Sequence, residues 1–336
     1  MKAILYNQDR CQWGVENAQL PVRSDSDALI KVSHAGLCGS DMFRFDYPDN
    51  AYSSISLGHE IVGFVKAVAD SHAEQLLDKR VVINPIINCS ECRDCLEGNT
   101  QFCSNIQVIG KTKHGGFSEY VSAPVSNVYP LPEGFNDKLG VLVDGTAVVL
   151  HACSKIKKES INKVLVIGDG AVAALTIATF KSKYPGVSIK VRGKNKGNIA
   201  RLADRYGIAE LCNEDEEFDL SIETVGRAQS DSLNTAIKHT RKTGEILVLG
   251  VYPEDYKLDL DVRSAFYKEL SIKGVNSFVC CESSNNFKDA IILINNSQVL
   301  FDGLITHELA LDNFEHGLHL MKNKTQSGAI KVIFTP

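Results

Sequence analysis

The stretch CSECRDCLEGNTQFC at 89–103 gathers four cysteines, Cys89, Cys92, Cys95 and Cys103, into one short polar segment of a 336-residue chain. Two-residue gaps let neighbouring thiolates turn toward a common centre, and four thiolates complete a tetrahedral zinc shell with no open position. The segment follows the strand-like RVVINP at 80–85, has little hydrophobic periodicity and contains Gly98, so it reads as a loop that curls around one ion. A structural zinc is the expectation. An iron–sulfur cluster or a redox pair would draw on the same residue type, and spacing leaves both open.

A closed shell does no chemistry, so a reactive metal needs other ligands and a vacancy. GLCGSD at 36–41 follows the strand-like ALIKVSHA and supplies Cys38, while LGHE at 57–60 introduces the strand-like IVGFVKAV and supplies His59 and Glu60. A further candidate, Asp144, lies among apolar residues in VLVDGTAVVLHA, where an uncompensated charge is costly and a metal would compensate it. The same aspartate suits the cap of a helix beginning at Gly145 or Thr146.

These groups need a scaffold, and the chain has material for roughly two domains. With 44% hydrophobic and 23% charged residues and a formal net charge of −5, the composition is that of a soluble globular protein, and nothing in it calls for nucleic acid. No segment approaches the ~20 apolar residues of a membrane span, and MKAILYNQDR lacks the apolar core of a secretory signal. A cytoplasmic location is expected, where thiols stay reduced and the ten cysteines favour metal binding or burial over disulfides.

From residue 163 the rhythm changes. KVLVIG, VSIKVR, FDLSIET and GEILVLG are short apolar runs that alternate with the helical stretches AVAALTIATFKSKY, NIARLADRYG and SDSLNTAIKH, which predicts an α/β unit with a parallel sheet covered by helices. Its first strand runs into GDGAVA, where Gly168, Gly170 and Ala173 hold the positions of a dinucleotide fingerprint. Gly168, Gly170, Ala171 and Val172 are the expected seat of a pyrophosphate at a helix N-terminus. An NAD site puts a carboxylate after the second strand. Here IKVRGKNKGNIAR offers Arg192, Lys194, Lys196 and Arg201 around Gly193, so NADP is expected in preference to NAD.

Taken together, GLCGSD, LGHE, the four-cysteine loop, GGFSEYV at 115–121, IGDGAVA and the closing AIKVIF occur in an order that resembles the zinc-containing medium-chain dehydrogenase/reductases. The nearest likeness is to the bacterial sugar-alcohol branch with its sorbitol and galactitol-phosphate dehydrogenases. The resemblance implies a mostly β, GroES-like catalytic domain from residues 1–143 and 277–336, and a Rossmann cofactor domain from 144–276. It implies two zinc ions per chain. Cys38 and His59 would hold the catalytic one, Glu60 would be a direct or supporting ligand, and Asp144 would stand where polyol members usually have glutamate. Ser40 would relay a proton, and Phe43 stands where a histidine often follows that serine. Hydride transfer between a secondary alcohol, polyol or sugar derivative and NADP(H) is implied, as is a homodimer or homotetramer joined along the last cofactor-domain strand, ELSIKGV at 269–275. Two rival readings are a zinc-stabilised NADPH-binding regulator and a zinc-free quinone or enoyl reductase.

Substrate choice is left to FRFDYPDNAYSS at 43–54, a plausible lining in which Arg44 meets an anionic group or pairs with Asp46. Cys11, Cys153, Cys212, Cys280 and Cys281 have no partner pattern and read as ordinary thiols.

Overall fold

A computed structural model describes residues 1–22, 24–48, 50–157 and 161–336, with the backbone alone at residues 50 and 51. Asp49, within the expected substrate lining, lies outside the described residues. Two sheets organise the chain. The first has seven strands in the order Ile305–Ala310, Lys331–Thr335, Asp27–Leu37, Glu60–Val68, Arg80–Ile83 and Val128–Pro130, with Tyr120–Pro124 also paired to Asp27–Leu37. All its pairings are antiparallel except that of the two C-terminal strands. The last strand of the chain thus lies beside one of the first, so that Val332 stands opposite Leu37, while on the other side of that strand Gly36 stands opposite Glu60.

The second sheet has six parallel strands in the order Ala209–Glu210, Ser188–Arg192, Lys163–Ile167, Phe218–Glu223, Thr240–Val248 and Ser271–Gly274. This is the doubly wound arrangement, with its switch point between Lys163–Ile167 and Phe218–Glu223. Why the strands read as unbroken apolar runs is visible in the core: Val164 and Val166 pack into one cluster, Leu165 and Ile167 into another on the opposite face. Ala174, Ile177 and Ala178 of the helix Ala171–Lys183 cover the first face, and Leu233, Ala236 and Ile237 of Asp231–His239 cover the second. A strand buried on both faces has no polar alternation to show.

The expected parallel sheet and its helices are therefore present, in a mixed α/β protein with a GroES-like lobe and a Rossmann-like lobe. One local expectation needs correcting. The helix expected to begin at Gly145 or Thr146 begins at Val143, so Asp144 lies within its first turn and caps nothing. Helix Asn286–Asn296 shares a core with Val143–Ser154 and Ala171–Lys183, and the chain rejoins the seven-stranded sheet at Ile305. Gly145 is needed because a Cβ there would stand 2.6 Å from Leu175 Cδ1. Among the described residues, no helix is long and apolar enough to cross a membrane.

Close packing of the strands Asp27–Leu37 and Glu60–Val68 leaves no room at Gly63, where a Cβ would stand 2.2 Å from the Lys31 carbonyl oxygen. Gly63→Ala is expected to lower stability by about 1–3 kcal/mol, the usual cost of overpacking, in urea denaturation. An unchanged midpoint would mean that this strand pair is spaced differently.

Candidate active site and metal centres

Cys38 ends the strand Asp27–Leu37 and caps the helix Gly39–Asp46, and His59 and Glu60 lie at the start of the neighbouring strand. Adjacent strands thus deliver the two motifs to one place. A ligand atom from each of Cys38, His59 and Glu60 lies within 4.8 Å of the other two. Asp41, fully buried, positions two of them: its Oδ2 accepts a hydrogen bond from the Cys38 N–H at 3.0 Å, and its Oδ1 stands 3.2 Å from His59 Nδ1. The capping-box spacing from Cys38 to Asp41 was the available signal, and sequence reasoning passed over it. With Nδ1 turned to Asp41, His59 keeps Nε2 for the cluster, the usual arrangement of a metal-binding imidazole. Burial works against charge on His59, but Asp41 and Cys38 outweigh it and hold its pKa well above the usual histidine value.

Glu60 meets a partner the motifs did not name. Lys331 Nζ lies 2.7 and 2.8 Å from its two carboxylate oxygens, and both residues are buried. The pair spans three strands. Glu60 reaches across Gly36, where any Cβ would stand 1.9 Å from Glu60 Oε2, to the lysine on the strand beyond. Burial opposes the Lys331 charge, yet Glu60, Cys38 and Asp41 raise its pKa above the ordinary lysine range. Its only sequence signal is a lysine inside the apolar run AIKVIF.

Asp144 stays outside the three-residue cluster among the described residues. It does feel the site: burial pushes its pKa up to about 6, with His59 lowering it and Glu60 raising it. Ser40 lies in the first turn of Gly39–Asp46 and its carbonyl accepts a hydrogen bond from Arg44 Nη1 at 3.1 Å. The alternative pairing of Arg44 with Asp46 is not formed, because Asp46 takes Lys322 Nζ at 2.6 Å. Phe43 is exposed and packs on Tyr47.

The four cysteines of the polar loop also converge, with their sulfurs within 4.8 Å of one another. Cys89 and Cys103 Sγ are 3.5 Å apart, close to the ~3.8 Å edge of a tetrahedron with Zn–S bonds of ~2.3 Å and far beyond a disulfide. Backbone N–H groups point at the sulfurs, from Cys89 to Cys103 at 3.3 Å and from Cys92 to Cys89 at 3.4 Å. The backbone N–H groups of Cys95 and Ser104 pull Cys92 down to about 6, whereas burial and the neighbouring thiols push Cys95 up to about 12. Such a set suits a cation that forces all four thiols to deprotonate. All ten cysteines are free of disulfides.

At the end of Lys163–Ile167, Gly168 has φ 137°, and a Cβ there would stand 2.1 Å from Thr224 Oγ1. Gly170 precedes the helix that begins with Ala171 and Val172, and Ala173 is buried against the sheet. These residues fit the pyrophosphate seat expected of them. The basic loop after the second strand is more committed than expected. Arg192 pairs with Glu214 at 2.9 Å, Lys196 pairs with Glu210, and Arg201 donates to the Gly328 carbonyl at 2.9 Å. Lys194 is 88% exposed, with Asp231 at 3.6 Å. The turn residue Asp169 accepts hydrogen bonds from the Lys194 and Asn195 N–H groups at 2.8 and 2.9 Å, and Gly193 leaves room for it.

A two-lobed α/β fold carries a cysteine–histidine–glutamate cluster in one lobe and a glycine turn in the other, an arrangement that resembles that of the zinc-type medium-chain dehydrogenases. Comparison with known proteins agrees. Residues 24–133 match the family described as alcohol dehydrogenase GroES-like domain. The chain is 26% identical to D-arabinitol dehydrogenase 1 of Uromyces fabae, over 96% of this chain and 95% of that protein. Its fold is that of an alcohol dehydrogenase from Escherichia coli CFT073 complexed with NADH, with a TM-score of 0.87, 22% identity and coverage of 100% and 99%. It is equally that of a putative zinc-binding dehydrogenase from Sinorhizobium meliloti 1021 bound to NADP, with a TM-score of 0.84, 23% identity and the same coverage. The resemblance to zinc-type alcohol and polyol dehydrogenases is therefore borne out over nearly the whole chain.

Lys331→Met leaves the Glu60 carboxylate buried without its cation and is expected to cost about 3–5 kcal/mol in chemical denaturation. Adding Glu60→Gln should recover part of that loss, and simple additivity of the two changes would refute the coupling. Cys92→Ser is expected to lower the melting temperature and to abolish the further destabilisation that a chelator causes in the parent protein. Equal chelator sensitivity in both proteins would place the metal elsewhere.

Proposed function

We propose that this protein is a zinc-dependent oxidoreductase that moves a hydride between a secondary alcohol, polyol or sugar derivative, or the matching ketone, and NADP(H). The observation that carries it is the convergence of Cys38, His59 and Glu60 in a chain whose other lobe carries a dinucleotide-type glycine turn. Cys38, His59 and Asp144 would hold the catalytic ion, which would polarise an alcohol or carbonyl oxygen. Cys89, Cys92, Cys95 and Cys103 would hold a second, structural ion. Asp41 orients His59, and Lys331 keeps Glu60 in place as a supporting carboxylate. Ser40 Oγ takes the proton that the substrate hydroxyl releases and passes it toward solvent. Exposed Phe43 cannot continue that relay, so the proton leaves Ser40 through water. The nicotinamide would enter the cleft between the lobes, the catalytic one from residues 1–143 and 277–336 and the cofactor one from 144–276.

Lys194 supports NADP, since it is 88% exposed and its carboxylate partner Asp231 stands 3.6 Å away, while Arg192 and Lys196 would have to exchange partners to reach a 2′-phosphate. A homodimer is supported by the edge of the parallel sheet. Among the described residues Ser271–Gly274 pairs on one side only, Ile272 on it is exposed, and Val262, Phe266 and Tyr267 of the adjacent helix are exposed too. An unpaired edge beside an apolar patch invites a second copy.

Cys38→Ser and His59→Ala are each expected to reduce turnover by at least about 10³-fold while the fold survives, read from kcat on a panel of polyols, sugar phosphates and ketoses. Full activity in metal-free Cys38→Ser would refute the mechanism. NADPH should bind at least about tenfold more tightly than NADH in calorimetry, and Lys194→Ala should erase most of that difference. A preference for NADH would overturn the cofactor assignment. Sedimentation of Ile272→Lys/Phe266→Glu should give monomers where the parent protein gives dimers or tetramers.

A further inference from the structure

Lys324 has no function in the account above, yet its position is unusual. It opens the short turn of helix Lys324–Ser327 in the returning, C-terminal part of the chain. The stem leaves the residue half-buried, but its charged end is enclosed between the lobes, with Nζ 3.7 Å from where a Cβ on Gly170 would stand. Among the described residues, no carboxylate, carbonyl or hydroxyl accepts a hydrogen bond from that ammonium. Burial pulls its pKa down to about 8, Arg227 and Lys331 push the same way, and Asp169 and Cys38 only partly oppose them. Asp169 is already engaged by two backbone N–H groups of the neighbouring loop. A cation held there without a protein acceptor is open to an anionic ligand.

Two features show what would satisfy it. Gly170 immediately precedes the helix Ala171–Lys183, whose first N–H groups and positive dipole end face the same space. Lys324 therefore closes, from the catalytic lobe, an anion site that the cofactor lobe opens. The segment is pinned there from both ends: Asn195 Nδ2 donates to the Lys324 carbonyl at 2.8 Å and Arg201 Nη1 to the Gly328 carbonyl at 2.9 Å. Seven residues beyond Lys324, Lys331 turns its ammonium to Glu60 instead.

We infer that Lys324 is a cofactor-binding residue that places its ammonium on the pyrophosphate of the dinucleotide, opposite the N-terminus of the helix Ala171–Lys183, and so ties the catalytic lobe to the bound cofactor. This rests on the reading of the protein as a dinucleotide enzyme. The glycine-turn seat belongs to that reading; the cation supplied across the cleft is the addition.

Calorimetric titrations of the full-length protein and its Lys324→Met and Lys324→Arg variants test it, with NADPH, ADP-ribose and adenosine as ligands. Lys324→Met should weaken NADPH and ADP-ribose about 10–100-fold, as expected on losing a charge-assisted hydrogen bond. Adenosine, which lacks the pyrophosphate, should be unaffected, and Lys324→Arg should retain most of the affinity. The melting temperature of ligand-free Lys324→Met should equal or exceed that of the parent, since no protein group pairs with the ammonium that is removed. Unchanged ADP-ribose affinity, an equal loss for adenosine, or a lower ligand-free melting temperature with normal binding would each overturn the inference alone. A parent protein that binds neither NADPH nor ADP-ribose would overturn it together with the dinucleotide reading.

Discussion

A buried ammonium–carboxylate pair, Lys331 with Glu60, is the constraint around which the catalytic lobe is arranged. It joins the last strand of the chain to one of the first across Gly36, the residue between them, whose missing side chain opens the path. Two charges taken out of water stabilise little by themselves, because desolvation offsets most of their attraction. What such a pair does is forbid alternatives. Any register that separates the C-terminal strand from Asp27–Leu37 strands a bare charge in the core.

The same pair sets the electrostatics of the site. Glu60, Asp41 and the Cys38 thiol are acidic groups in one small volume, with His59 and Lys331 as counter-charges. Asp144 answers to this balance from the first turn of its helix, and its raised pKa records how poorly a further carboxylate is accommodated without a cation. The four-cysteine loop is separate in kind. Its sulfurs are gathered by local turns and backbone N–H groups, and the rest of the fold is not needed to bring them together. One centre is therefore a product of the sheet and the other of a loop.

Legibility in the sequence followed this division. The cysteine loop could be read because its ligands lie close along the chain, and the glycine turn because strand, turn and helix are consecutive. The parallel strands announced themselves through apolar runs buried on both faces, such as Val164–Ile167. The helix start near Asp144 was placed two or three residues late, since its N-cap, Leu142, has no capping side chain to mark it. The basic loop promised more than it delivers: Glu214 and Glu210, well downstream, neutralise Arg192 and Lys196. Asp41 was in plain view inside GLCGSD but has meaning only once His59 is beside it.

Sequence alone determined the thiol cluster of the polar loop and the doubly wound lobe, because each depends on residues close along the chain, and it named Cys38 and His59 as candidates. Only the tertiary structure decided which charges meet. Lys331 with Glu60, Asp41 with His59, and Lys324 over Gly170 are contacts between segments far apart in the chain. Their pairing is set by sheet order and by the way the C-terminal segment returns, and local sequence carries no record of either.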